Sequence, residues 1–296
     1  MSLYAFLGAI EQGLVFAIMS LGVFITFRVL DFPDLSVDGT LPLGAAISAV
    51  LIVNGVNPYF TLIIALLGGM LAGCVTAILN TKLKILNLLS GILVMIALYS
   101  INIRVMGQPT TALLGYDTIF TYFENLGFEK YLITPIIFGV ILFSISVIMV
   151  WFLHTDIGLA MRATGDSMKM VKAQGVNTNR MIVYGLAFSN GLVALSGALV
   201  AQSQGSADVN MGIGTIVAGL ASVILGEAII EGRTVFRSVF SVILGSVIYR
   251  ISIAVALSFK FGGLSMTPSD LNLVTAILVV IALVFPGIRK KMGLRI

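Results

Sequence analysis

The sequence predicts an all-α polytopic membrane protein, and three observations predict it. The composition is that of a chain solvated mostly by lipid: 58% of residues are hydrophobic, 10% are charged, and the mean hydropathy is +1.09. Apolar runs recur along all 296 residues, enough for about eight to ten transmembrane or partial helices at roughly 20 residues each. The basic residues also segregate by loop. Placing the tail of Arg289, Lys290, Lys291 and Arg295 inside brings Arg28, Lys82, Lys84, Arg162, Lys169, Lys172, Arg180, Arg233 and Arg237 to the same side. It leaves Arg104, Lys130 and Lys260 outside, with the N-terminus outside and the C-terminus cytoplasmic. A single transmembrane domain over 1–296 is expected, and the pI near 9.2 reflects basic loops at the membrane, not nucleic acid binding.

The first run, 5–27, has no basic leader or small-residue cleavage site and reads as a retained span. FPDLSVDGTLPLGAA at 32–46 follows it, setting Asp31, Asp34 and Asp38 against the membrane ahead of a short apolar run at 40–54. Two readings stay open there. In one, Asp38 or Thr40 caps the next helix and Pro42 suits its first turn. In the other, the segment is a broken helix lining a pathway, because acids at membrane depth cost several kcal/mol unless they face water or a partner. Asp34, Ser36 and Asp38 are therefore pathway candidates. The runs 40–54 and 212–227 are both short for full crossings, the form taken by broken or re-entrant helices in transporters.

Full spans are expected at 58–80, 86–103, 131–153, 180–203, 235–258 and 270–286. Gly69 with Gly73, Gly185 with Ser189, and Gly191 with Gly197 place small residues where helices can approach closely. Trp151 ends the fifth span as an interfacial anchor, and His154 beside it is an interfacial or loop histidine. Asn102, Ser189, Asn190, Ser196, Ser222, Ser241 and Ser246 lie inside spans, mostly as glue between helices, with Asn102 and Asn190 as further pathway candidates. Arg250, well inside the 235–258 run, costs at least about 2.5–3.5 kcal/mol unpaired. It either meets a substrate carboxylate or pairs with an acid such as Glu11 or Asp208.

A polar insert at 155–180 interrupts this apolar chain. It divides into two short helical pieces: Asp166 or Ser167 can cap a helix over Met168–Ala173, Gly175 fits the left-handed position that ends it, and Thr178 can cap the next span. Met168 and Val171 share one face and Lys169 and Lys172 an adjacent one, which makes a short amphipathic knob. It either lies on anionic headgroups or docks a protein partner.

The run GLAMRATG at 158–165 with VKAQGVN at 171–177 resembles the cytoplasmic loop of bacterial ATP-binding cassette (ABC) importer permeases of the branched-chain amino-acid and ribose superfamily. SNGLVALSGALVAQSQG at 189–205, IGTIVAGLASVILGEAIIEGRTVF at 213–236 and the FPGI at 285–288 extend the resemblance over essentially the whole chain. It departs at Glu227, where branched-chain permeases usually carry a second glycine, and at DLSVDG, where sugar permeases read D-L-S-V-G. FPDLSVDG with LLSGILVMIALYSINIRVMG at 88–107 is similar to a branch of ABC permeases associated with amino-acid or aromatic-amino-acid uptake.

The resemblance implies a type II-like importer permease of the bacterial cytoplasmic membrane. Its coupling loop, 155–179, would dock into an ATP-binding subunit through Arg162, Ala163, Gly165, Met168, Lys169, Val171, Lys172 and Gly175. ATP and magnesium would then reside on that subunit, with no cofactor on this chain. An extracytoplasmic binding protein would deliver a small polar solute, and a second permease copy, a homodimer favoured over a heterodimer, would complete the pore.

The residues exclude other classes. Cys74 and His154 are the only residues of their types, so neither a disulfide framework nor a Cys/His metal site can form. No G-x-x-x-x-G-K-[ST] loop is present, and no nucleophile, base and orienter assemble, so the chain is expected not to be an enzyme. An ion-coupled secondary transporter or channel, with Asp34 or Asp38 as coupling acid, is the alternative. Amino acid, sugar and nucleoside all stay open as solutes.

Overall fold

The computed structural model describes residues 3–258, apart from 126, 128, 129, 231 and 233, together with 280. The expected span at 270–286, the FPGI motif, the basic tail, Lys260 and Arg233 lie outside the described residues, Val280 excepted. The rest is a helical bundle with one small hairpin-like sheet. In order, the elements are α1 (Leu3–Phe24, continued by a π-helical turn at Ile25–Val29), α2 (Val37–Val53), α3 (Pro58–Thr81), α4 (Asn87–Met106) and β1 (Thr110–Ala112). Then come α5 (Thr121–Asn125), α6 (Lys130–His154), α7 (Asp156–Asp166), α8 (Met168–Ala173), α9 (Thr178–Gln204), β2 (Ser206–Asp208), α10 (Thr215–Ile229) and α11 (Val235–Ser258). β1 and β2 pair antiparallel, Thr111 opposite Ala207.

Six helices among the described residues are long and apolar enough to cross a membrane, and each falls on an expected span. α9 is the central one, buried along most of its length and packed against α1, α2 and α3. Small residues permit this. A Cβ at Gly69 or Gly73 of α3 would stand 2.3 or 2.2 Å from the carbonyls of Asn190 or Leu186. Hydroxyls add interhelix hydrogen bonds: Ser189 donates to the Gly22 carbonyl at 2.7 Å and Ser196 to that of Val15 at 2.8 Å.

These contacts also set the directions. α1 and α3 both run antiparallel to α9, so Arg28, Lys82 and Lys84 arrive at the end where α9 starts, beside α7 and α8. Basic residues thus collect at one end of the bundle, as the loop asymmetry predicts.

α2 and α10 break the pattern. Their 17 and 15 residues reach only about 25 and 22 Å, against roughly 30 Å of hydrocarbon. α2 starts beside the middle of α9, where Thr40 meets Asn190, and runs parallel to it. α10 starts beside the first turn of α2, where Asp38 meets Gly214 and Ile216, and runs the other way to reach Arg28 through Glu227. Both short runs are therefore partial helices that begin beside the middle of the bundle, the broken form among the two expected from their length. The chain reaches α2 through a reversal at Leu30–Ser36 and α10 through β2 and the turn that follows it.

The start of α2 differs from the expected one. The helix begins at Val37, three residues before the predicted run, and its N-cap Ser36 makes no side-chain cap bond. Pro42 accordingly sits beyond the first turn, inside the helix. With no N–H on Pro42, the Asp38 carbonyl is left free of the helix ladder. Gly212 packs against that carbonyl so closely that a Cβ there would lie 1.9 Å away.

Candidate translocation site

Asp38 joins the two half-helices. Its Oδ1 accepts from the Thr215 hydroxyl at 3.0 Å and the Ile216 N–H at 2.8 Å, and its Oδ2 accepts from the Gly214 N–H at 3.1 Å. The carboxylate expected to cap its own helix therefore caps α10, which has no side-chain cap of its own. It also lies in the first turn of α2, so the positive ends of two helix dipoles converge on one negative charge.

Beside this junction lies a cavity of about 430 Å³, within the usual range for small-molecule sites. Asp38, Gly39 and Pro42 form its α2 wall; Met95, Ile96, Tyr99, Ser100 and Asn102 its α4 wall; Val209 and Ile213 close it from the α10 entry. Asn102 donates from Nδ2 to the Gly39 carbonyl at 3.1 Å, while its buried Oδ1 has no hydrogen-bond partner among the described residues.

Asp34, Ser36 and Asn190 form a separate cluster that does not line this cavity. All three are fully buried with Thr40. Asp34 Oδ1 accepts from the Ser36 N–H at 2.9 Å and hydroxyl at 2.6 Å, and Oδ2 from Asn190 Nδ2 at 2.8 Å. Asn190 Oδ1 accepts in turn from the hydroxyls of Ser36 at 3.1 Å and Thr40 at 2.7 Å. A Cβ at Gly91 would touch the Leu35 N at 2.7 Å and Asp34 Oδ1 at 3.1 Å, so α4 closes directly over the turn. These three candidates clasp the reversal before α2 and do not line the cavity.

Arg250 meets neither of its expected acids. Glu11 accepts from Ser203 at 2.5 Å and Asp208 from Thr110 at 2.5 Å, whereas the Arg250 guanidinium lies 3.7 Å from the centre of the Phe16 ring. A cation over an aromatic face is a favourable pairing inside a bundle, and it holds Arg250 away from the cavity.

Comparison with known proteins fits this architecture. A family model described as "Branched-chain amino acid transport system / permease component" matches residues 5–284. The chain belongs to that family. The permease is 42% identical to a tyrosine transport system permease protein of Clostridioides difficile, over 93% of this chain and 88% of that protein. It is 26% identical to a ribose import permease protein of Haemophilus influenzae, over 76% of this chain and 69% of that one. Among solved structures, PsaBC from Streptococcus pneumoniae in complex with Fab superposes with a TM-score of 0.51 at 14% identity, covering 94% of this chain and 89% of that one, a likeness of fold alone.

The permease carries its polar insert as α7 and α8 at the basic end. Ser167 caps α8, accepting from the Met170 N–H at 3.4 Å, and Gly175 takes φ 86° just past it, both as expected. The cap of α9 falls one residue early, on Asn177, which accepts from the Arg180 N–H at 3.2 Å. α7 packs on the end of α1, where a Cβ at Gly165 would lie 2.1 Å from the Val29 carbonyl. Arg162, Lys169, Lys172 and Gly175 are exposed, and Ala163 and Met168 half-buried. Val171 corrects the reading of an exposed knob: it is 4% exposed and turned into the bundle, while Met170 is 62% exposed and takes its place at the surface. On a helix of one and a half turns, the packed face follows from where the neighbouring helices lie, which i,i+3 spacing alone does not fix.

Arg28 and Glu227 form an ion pair, a two-pronged contact between the π-helical end of α1 and the end of α10. They line a polar cavity of about 260 Å³ with Arg162 and Asp166 of α7. The departure from glycine at Glu227 thus has a partner 199 residues away. Tyr99 and Ser100 were not among the sequence candidates. Spacing offered a signal, since Met95, Tyr99 and Asn102 share one face of α4.

Proposed function

We propose that the permease is the membrane-spanning subunit of an ABC importer for an amino acid, with aromatic amino acids favoured. The observation that carries the reading is the surface of α7 and α8. Ile157, Leu159 and Met170, 45%, 49% and 62% exposed, stand among Arg162, Lys169 and Lys172 at the basic end. Apolar side chains rimmed by charge suit a docking cleft on a soluble partner, and the loop asymmetry puts that end in the cytoplasm. The 42% identity to a tyrosine transport system permease supports the solute class.

In this reading two copies face each other across the Asp38 cavity. The openness of that cavity in a single chain supports it, with Ile96, Tyr99 and Ile213 exposed by 59%, 49% and 70%. ATP-binding subunits dimerise on ATP and press on α7 and α8. Because α7 is seated on Val29, its displacement reaches the reversal that leads to Asp38, and the cavity changes the side to which it opens. An extracytoplasmic binding protein supplies solute from the other end.

Purification in mild detergent, comparing wild type with an Ile157→Asp plus Met170→Asp variant, tests this. The expected result is an ATP-binding subunit that accompanies wild type and is absent from the equally stable variant. Solute uptake that persists after the ATPase gene is deleted and collapses with the ion gradient would instead establish the ion-coupled alternative.

A further inference from the structure

The cavity at the junction of α2 and α10 has acceptors to spare and no cationic side chain among its described lining residues. Resting on the amino-acid importer reading, we propose that it is a binding site for a primary ammonium group, with Asp38 and Asn102 receiving its N–H bonds. The solute's apolar body would lie against α4.

Asn102 carries the argument. Its amide orientation is fixed, because turning it over would set Oδ1 against the Gly39 carbonyl that Nδ2 now serves. Oδ1 is left buried in a residue only 1% exposed, with no donor among the described residues. A buried orphan acceptor is destabilising until something donates to it. Asp38 stands on the same wall. A carboxylate offers about four acceptor positions, and three donors reach this one. None of the lining residues is Lys, Arg or His.

One more N–H donor at each of Asp38 and Asn102 completes both, and a positive charge on that donor balances the carboxylate. An ammonium supplies three N–H donors and the charge in one group. Met95, Ile96 and Ile213 with the ring of Tyr99 offer an apolar flank. A solute carboxylate, repelled by Asp38, turns to the open side where the hydroxyls of Tyr99 and Ser100 lie. Arg250, held on Phe16, takes no part.

Charge-selective thiol labelling tests the site directly. Cys74→Ser removes the one cysteine, and Ser100→Cys places a thiol on the cavity wall, in native membranes that hold the whole importer. With each rate divided by that reagent's rate towards a small free thiol, the expected result is that a cationic trimethylammonium methanethiosulfonate reacts about tenfold faster than an anionic sulfonate analogue, as a nearby unit charge in a partly buried site dictates. Asp38→Asn keeps the one acceptor oxygen that serves Thr215 and Ile216 at the α10 cap and should level the two rates. Tyramine should slow labelling while hydroxyphenylpropionate, which lacks the amine, does not. Asn102→Leu, which removes the orphan acceptor, should abolish the protection by tyramine.

Equal rates for the two reagents before Asp38 is changed, no protection by tyramine, equal protection by the propionate, or protection that survives Asn102→Leu would each overturn the assignment. Loss of the ATPase tests the other reading separately. Tyrosine uptake that continues without it removes the importer and leaves the ammonium site standing on its labelling data.

Discussion

Asp34 and Asp38 lie four residues apart and sit in opposite kinds of surroundings. Asp34 is sealed under Gly91, and its donors, Ser36 and Asn190, are sealed with it. Asp38 holds the start of a second helix and opens on a cavity where a neighbouring amide has an acceptor left over. The contrast separates two uses of polarity inside a membrane protein. A buried group whose partners are all buried with it fixes the backbone, and a group left incomplete beside a cavity keeps an acceptor that one more donor can use.

The comparison breaks first at Asp34. Asp34→Leu strips the acceptor from a backbone N–H, a hydroxyl and an amide at once, a loss on the order of 3 kcal/mol. Fluorescence-detected size exclusion should show little folded protein, and wild-type abundance of this variant would remove the clasp.

A smaller effect belongs to Asp38 as a cap. Asp38→Ala leaves the first N–H groups of α10 without an acceptor and should cost about 1 kcal/mol, with Asp38→Asn close to wild type. Thermal melts in detergent read the order, and identical melts for both variants would show that the cap does not hold α10.

Glu227 gives the smallest effect and sharpens the contrast from outside. Its partner Arg28 is 59% exposed along the side chain, so Glu227→Gln should cost less than about 1 kcal/mol and less still at high salt. A melt lowered more than by Asp38→Ala would make this pair, not Asp38, the principal anchor of α10.

Much of the fold was legible because its cause is local. Twenty apolar residues in a row need no partner to become a helix, so the spans from α1 to α11 stood where expected. Shortness alone marked α2 and α10 as partial helices. What hydropathy could not supply was pairing. Asp38 reads as a cap for the helix it begins, and only tertiary packing reveals that the helix it caps starts 177 residues later, at Thr215. Arg250 shows the same limit, since its partner is an aromatic face with no charge to search for. Of the pathway candidates, Asp38 and Asn102 line one cavity, whereas Asp34, Ser36 and Asn190 pack on one another outside it.

The reversal at Leu30–Ser36 also imposes an order of events on synthesis. Asp34 waits for Asn190, 156 residues downstream, and Asp38 for Ile216, 178 residues downstream. At about 5–20 residues per second, roughly 8 to 36 s separate the emergence of each acid from that of its partner. Throughout that interval α2 has no clasp and no opposing half-helix. The two acids of this segment therefore reach their final partners only after α9 and the start of α10 have been made.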